Sequence, residues 1–354
     1  MKKNDLIEQR LVNQGLREEK FDSPGDTVRW MCAMQAQDYL GALWSIGQRC
    51  KDITESKIEK AIADRKIVRT WPMRGTLHFV APEDVRWMLK LLTPRVIARS
   101  KKLYQDQGLD AKTLLKSKKV IEHALTKNVS MTRQALYAAL EKDKIAMGAQ
   151  RGIHIIGHAA QEQLICLGPR TGKQHTFVLL DAWIPESKSL TLDESLAELA
   201  SRYLDSHGPA TMQDFSWWSG LTLTEVKRSF EMNKEQLISF TLGDLSYFMK
   251  SANGLSALKS PQVALLSWFD EYIIGYKDRS AAFDLRTEKF IEKPKNGIYT
   301  PVILIDGKIA GNWKRSLEKQ DLKIEIVPFR KFTTTEKKNI AGAIEHYRSF
   351  LGLD

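Results

Sequence analysis

Apolar residues recur along most of this chain at intervals of three and four, interrupted by short alternating runs, and the change of period separates helices from strands. The first helix is expected over Asp5 to Leu16. Ser23-Pro24-Gly25-Asp26 announces the second, with a hydroxyl N-cap, proline at the first helical position and an acid at the third, leading into Val28, Trp30, Met31 and Met34. Asp38 is expected to cap a third helix, which leaves Gln35-Ala36-Gln37 in a turn between helices. Thr54 starts a fourth, whose apolar face is Ile58, Ala61 and Ile62. Lys66 to Trp71 and Gly75 to Val80 then read as two strands joined around Met73-Arg74, and a helix over Pro82 to Tyr104 leads away.

The order of helices followed by a hairpin returns twice. Helices over Leu114 to Leu125, Gln134 to Leu140 (capped by Thr132) and Gln150 to Gln163 precede strands at Leu164 to Leu167 and His175 to Leu180, with Gly168 to Lys173 as the connecting wing. Helices over Ser195 to Leu204, Thr211 to Trp218 and Thr224 to Phe230 precede strands at Leu237 to Leu242 and Leu245 to Met249. From about Leu255 the texture turns to short β-rich runs: Val263 to Trp268, Tyr272 to Tyr276, Ile298 to Ile305, Ile309 to Trp313 and Leu322 to Val327. Asp306-Gly307 is a hairpin signal, Lys295-Asn296-Gly297 a further turn, and Thr335 to Phe350 a closing helix. The expected fold is α+β: three tandem winged-helix modules over residues 1–108, 109–189 and 190–254, then a β-barrel-like domain over 255–354.

Composition narrows the partners. The 354 residues carry 54 Lys and Arg against 43 Asp and Glu, a formal charge of +11, and the excess is spread through folded-looking segments instead of a basic tail. A polyanion suits such a surface, although a merely solvated basic face has the same composition. No run approaches a membrane span and the first residues do not resemble a signal peptide, so a cytoplasmic protein is expected. Three widely spaced cysteines support neither a disulfide framework nor a cysteine zinc site. His154 and His158 stand four apart, but Ile155 occupies the place where a metalloprotease helix needs glutamate, so no metal is expected.

Each glutamine of the Gln35-Ala36-Gln37 turn offers a carbonyl acceptor and an amide donor, and the pair could hold and orient one water; backbone hydrogen bonding within the turn is the plainer use of the same groups. Arg69 and Arg74 on the first hairpin offer donor forks for phosphates or for structural ion pairs, and His78 lies near that hairpin's end. Trp217 and Trp218 suit stacking or packing. Asp270 and Glu271, if in a strand, face opposite ways and make a poor acid/base pair.

Met34 to Asp38, Arg69-Thr70-Trp71-Pro72-Met73-Arg74-Gly75-Thr76-Leu77-His78, Ser206-His207-Gly208-Pro209-Ala210-Thr211, Asp214 to Gly220 and Phe269-Asp270-Glu271-Tyr272 together resemble the AlkZ-type winged-helix DNA glycosylases over nearly the whole chain. The resemblance implies catalytic roles for Gln35 and Gln37, in the branch with two glutamines instead of a glutamine and an acid, with Ala36 a smaller middle residue than the family's aliphatic one. It implies a monofunctional glycosylase that releases bulky N7-alkylpurines and unhooks interstrand crosslinks. Arg69, Arg74 and His78 are then the candidate DNA-binding residues, by their place on the first hairpin; the expected partner is double-stranded DNA bearing alkylated purines, with the protein a monomer, nucleoid-associated when bound to DNA, and no cofactor expected. A non-enzymatic winged-helix regulator is the competing expectation.

Overall fold

The computed structural model describes residues 2–17, 21–148, 150–250, 261–283, 300–318 and 321–353. The chain forms two compact units: Glu59–Ser195, inserted in sequence, and a split unit of Met1–Ile58 with Leu196–Asp354.

In the inserted unit the strands Val68–Met73 and Thr76–Val80 form a hairpin whose turn places Arg74 and Gly75 at φ 54° and 75°. Two successive positive φ angles match the right-handed twist of the strands, which glycine permits at the second position. Val68–Met73 also pairs with Ile165–Leu167, which pairs with Thr176–Leu179, and that strand with Met131–Thr132. Helices Ala111–Lys127, Arg133–Lys142 and Arg151–Gln161 supply Ile121, Leu125, Leu136, Leu140, Ile155 and Ile156 to the same core as Trp71, Leu77 and Phe177. Thr132 accepts from the Ala135 amide as the expected N-cap.

The split unit opens with Lys3–Asn13, shorter than its apolar pattern, and Pro24–Met31, where Ser23 accepts from the Asp26 amide. Cys32 at φ 64° ends that helix, Ala33–Gln35 is extended, and Tyr39–Arg49 follows. Leu192–His207, Met212–Ser219 and Leu223–Met232 precede a hairpin of Ile238–Leu242 and Leu245–Met249; Thr211 and Thr222 each close a capping box, with Asp214 and Glu225.

The C-terminal sheet is open, which corrects the expectation of a barrel. Its order is Asp321–Pro328, Lys308–Glu318, Val302–Ile305, Val263–Leu266, and among the described residues the outer two do not pair with each other. Tyr272 to Tyr276, expected as a strand, lies in and just after the helical turn Glu271–Ile274, because the Asp270 carboxylate accepts from the Tyr272 amide and starts a helix there. The last helix, Thr334–Leu351, packs on Val263–Leu266 and Tyr39–Arg49 instead of another strand doing so. Asp306 and Gly307, at φ 49° and 74°, make the expected tight turn. The turn expected at Lys295-Asn296-Gly297, the start of the run at Ile298 and the 254/255 module boundary lie outside the described residues.

Candidate active site

The two glutamines belong to the split unit, on a segment that leaves helical geometry at Cys32 and regains it at Tyr39. Gln35 ends the short strand, so the expectation of a turn is replaced by one extended residue followed by a connection. Ala36 is fully buried, Gln35 half-buried and Gln37 exposed. A larger aliphatic side chain at 36 would have to fit that closed space. Asp38 holds the N-cap position of Tyr39–Arg49, but its carboxylate makes no capping hydrogen bond.

What fixes this segment is a pair of adjacent buried carboxylates. Glu271 accepts the main-chain N–H of Gln35 at 2.7 Å on one oxygen. Its other oxygen accepts the Trp218 indole N–H at 3.0 Å and lies 3.5 Å from His207 Nε2. Asp270 receives both terminal nitrogens of Arg49, at 2.8 and 2.9 Å, together with the Ser45 hydroxyl at 2.8 Å. Arg49 and Asp270 are both wholly buried. Just upstream, the Ser267 hydroxyl donates to the Gly41 carbonyl and the Trp44 indole N–H to the Leu265 carbonyl. Leu265 to Glu271 therefore holds both the extended glutamine strand and the helix beyond it, across more than two hundred residues of chain.

Burial works against the Asp270 carboxylate, but the charge and hydrogen bonds of Arg49, with those from the Tyr272 amide and Ser45, outweigh it and hold the pKa below the ordinary value. Burial pushes His207 down as well; Glu271 opposes that, while Arg49 and Arg10 reinforce it. His207 Nε2 faces Glu271, and Nδ1 lies 2.8 Å from the Ser206 oxygen, whose own hydroxyl donates to the Arg202 carbonyl at 2.8 Å. Tyr203 stacks on the ring at 4.7 Å. The Ser206 to Thr211 motif thus ends one helix, delivers His207 to Glu271, and caps the next through Thr211 and Asp214. Phe269, between these grips, has φ 61°, a left-handed conformation costing an aromatic residue about 1–3 kcal/mol that only a well-determined surrounding sustains.

Arg69, Arg74 and His78 belong to the inserted unit. Arg74 sits half-exposed at the hairpin turn. His78 is fully buried, with Nδ1 2.9 Å from the Thr76 carbonyl. Arg69 is buried too, one guanidinium nitrogen lying 3.1–3.2 Å from the His175 ring nitrogens. Both residues line a cavity of about 320 Å³ whose walls include Trp71 and Phe177 and whose cationic groups include Arg133 and Lys173. His175 is pushed down to about 4 by burial first, then by the charges of Arg69, Arg170 and Arg133. Among the described residues no cluster of three or more metal-ligating side chains occurs, and no helix is long and apolar enough to cross a membrane.

Sequence reasoning singled out the glutamines as candidates but missed the groups that hold their segment. Arg49 had no signal of its own, and Asp270-Glu271 stood in a motif whose partners lie 221 and 236 residues away. Trp217 and Trp218 divide as helical spacing allows: Trp218 is buried against Glu271 and Tyr203, and Trp217 is largely exposed.

The chain belongs to the AlkZ-like DNA glycosylase family, whose model matches residues 28–350. Among curated proteins, an interstrand DNA cross-link repair glycosylase of Streptomyces sahachiroi is 23% identical over 333 residues, spanning 90% of this chain and 88% of that protein. Among solved structures, the Streptomyces sahachiroi DNA glycosylase AlkZ superposes with a TM-score of 0.82 at 21% identity, covering 99% of this chain and 97% of that one, which shows a shared fold.

Proposed function

We propose that this chain is a monofunctional DNA glycosylase that hydrolyses the N-glycosidic bond of bulky N7-alkylpurines in double-stranded DNA, and that it unhooks interstrand crosslinks made through such bases. The observation that carries this reading is the buried Glu271 carboxylate gripping the main chain at Gln35, which fixes the Gln35–Gln37 segment without consuming an amide side chain in that hydrogen bond. An orienting site requires that kind of rigidity, because catalysis by positioning is lost with small displacements.

The chemistry asks little of an acid. An N7-alkylated purine is already a cation, so breaking C1′–N9 sends the bonding pair to the ring and cancels its charge. Water adds to C1′ as the sugar takes on oxocarbenium character, and the water's proton leaves to solvent. Gln35 and Gln37 serve as catalytic residues by orienting that water through their carbonyls and stabilising the sugar's developing charge, roles that neutral amides perform without repelling phosphates. The cut leaves an abasic site with the strand intact. The three runs of helices and hairpin act as winged helices, in the modules 1–108, 109–189 and 190–254; on the first hairpin Arg74 meets DNA directly, and the buried Arg69 and His78 shape the hairpin that presents it. The protein works as a cytoplasmic monomer.

The test is single-turnover incubation with duplex DNA carrying one defined N7-alkylguanine, with free base and strand breaks detected separately. Base release without direct cleavage is expected. Gln37→Ala and Gln35→Ala should each slow release on the order of 10²-fold while leaving DNA affinity and folding nearly intact, whereas loss of a purely structural hydrogen bond would cost about 1 kcal/mol of stability instead. Duplex binding with no release in the wild type would make the protein a winged-helix regulator, and normal release by the doubly substituted protein would reject the assigned site.

A further inference from the structure

A second cavity, of about 440 Å³, opens one residue beyond Gln37. Asp38 and Gly41 form one wall, at the start of the helix Tyr39–Arg49. Trp268, Trp313 and Tyr347 supply aromatic surface, and Lys314 and Arg315 lie on the strand Lys308–Glu318. All of these belong to the split unit.

The aromatic walls are fixed. Trp313 donates its indole N–H to the Leu266 carbonyl at 2.8 Å and meets Tyr347 edge-on at 5.4 Å. Arg315 donates to the Tyr347 hydroxyl, its guanidinium 5.7 Å from the ring centre. Burial pushes Tyr347 up to about 12, so the ring stays neutral in ordinary buffers. Trp268 is half-buried and Lys314 exposed, so these two are accessible at the mouth.

Aromatic faces attract cations, and do so more strongly out of water. The carboxylate of Asp38 adds an attraction of the same sign, while Lys314 and Arg315 offer the opposite charge. A ligand matching this lining carries a flat positive ring at one end and an anion at the other. We infer that this cavity binds an N7-alkylpurine nucleotide, its cationic ring among Trp268, Trp313 and Asp38 and its phosphate toward Lys314 and Arg315. The inference rests on the proposed glycosylase activity for its biological sense, since that substrate is such a zwitterion and its C1′ must come to the neighbouring Gln37. An unmodified purine lacks the charge and gains only stacking.

The whole protein can be titrated calorimetrically with 7-methylguanosine 5′-monophosphate and with guanosine 5′-monophosphate, under mildly acidic conditions that keep the methylated ring cationic. The methylated nucleotide should bind about tenfold more tightly, a ratio in the range of a desolvated cation–π contact. Asp38→Asn and Trp268→Ala should each bring that ratio close to one, with Trp268→Phe restoring it. Lys314→Ala, at an exposed position, should weaken both nucleotides and keep the ratio. Equal binding of the two nucleotides by wild type overturns the inference, as does a preference that survives both Asp38→Asn and Trp268→Ala in folded protein; melting temperatures identify any variant that does not fold, leaving Trp268→Phe and Lys314→Ala to decide. Base release from N7-methylguanine duplex, measured on the same preparation, separates the two readings. Release without nucleotide preference removes this cavity assignment alone, and preference without release removes the glycosylase assignment while the cavity remains a receptor for alkylpurine nucleotides.

Discussion

Two histidines, His207 buried in the split unit and His175 half-buried in the inserted one, are both held neutral, and the contrast between them separates two uses of charge. His207 lies against a carboxylate, and burial overcomes the pull of Glu271. His175 lies among Arg69, Arg170 and Arg133, which add to burial instead of opposing it. Around His207 the charges answer one another: Arg49 with Asp270, and Arg10 3.8 Å from Asp214. The three charges that act on His175 share a sign, although Arg170 also pairs with Glu59. Matched buried charges fix geometry, because moving either partner exposes an uncompensated charge; a group of like charges creates a field that an incoming anion relieves.

The largest effect should come from breaking a matched pair. Arg49→Ala leaves Asp270 buried without its guanidinium and should cost about 3–5 kcal/mol in stability, whereas the double variant Arg49→Met/Asp270→Leu should recover much of that loss. Denaturant melts of the two decide it, and equal destabilisation would show that packing, not charge pairing, dominates this region.

A smaller effect is expected from acid. His207 has a lowered folded pKa, so its contribution to stability is complete above the unfolded value of about 6.5 and is lost as pH falls below it; Asp270, also lowered, loses its contribution only below about 3.9, as pH falls toward its folded value. Acidification should therefore lower the melting temperature in two stages. His207→Gln should flatten the first, and an unchanged profile between neutral and mildly acidic pH would remove His207 from it. His175, also lowered, adds its own loss in the first stage, so the comparison must be made between wild type and variant.

The least change should follow from thinning the cationic group beside His175. Arg133→Ala with Lys173→Ala should leave stability alone but reduce the slope of log affinity for duplex DNA against log salt by about 1 to 2, if each group neutralises one phosphate. A slope identical to wild type would place DNA contacts elsewhere.

How far the sequence could be read follows from the range of the interactions. Ser23, Thr132, Thr211 and the Asp306-Gly307 turn act over three or four residues, and each is visible in the chain as written. The hairpins were placed to within a few residues because their strands alternate in register with near neighbours. Tyr272 to Tyr276 misled because a β-branched, aromatic run favours a strand, while the adjacent Asp270 cap favours a helix, and local capping won. The barrel expectation failed because strand closure is a property of the sheet edges, on which alternation is silent. Resemblance made Gln35 and Gln37 the candidates, but Glu271 as the support of residue 35 was not legible, since nothing in a linear chain marks a hydrogen bond spanning 236 positions.

Glu271 holds residue 35 by its amide nitrogen, an atom every amino acid except proline shares. The frame is consequently indifferent to which side chain it carries. If Gln35 and Gln37 carry the chemistry as proposed, residue 35 can change from amide to acid or to an inert methyl while that main-chain hydrogen bond stays the same. Such a site can lose its activity in one substitution and regain it in another, and the same frame can be handed down to descendants that cut different bonds or none.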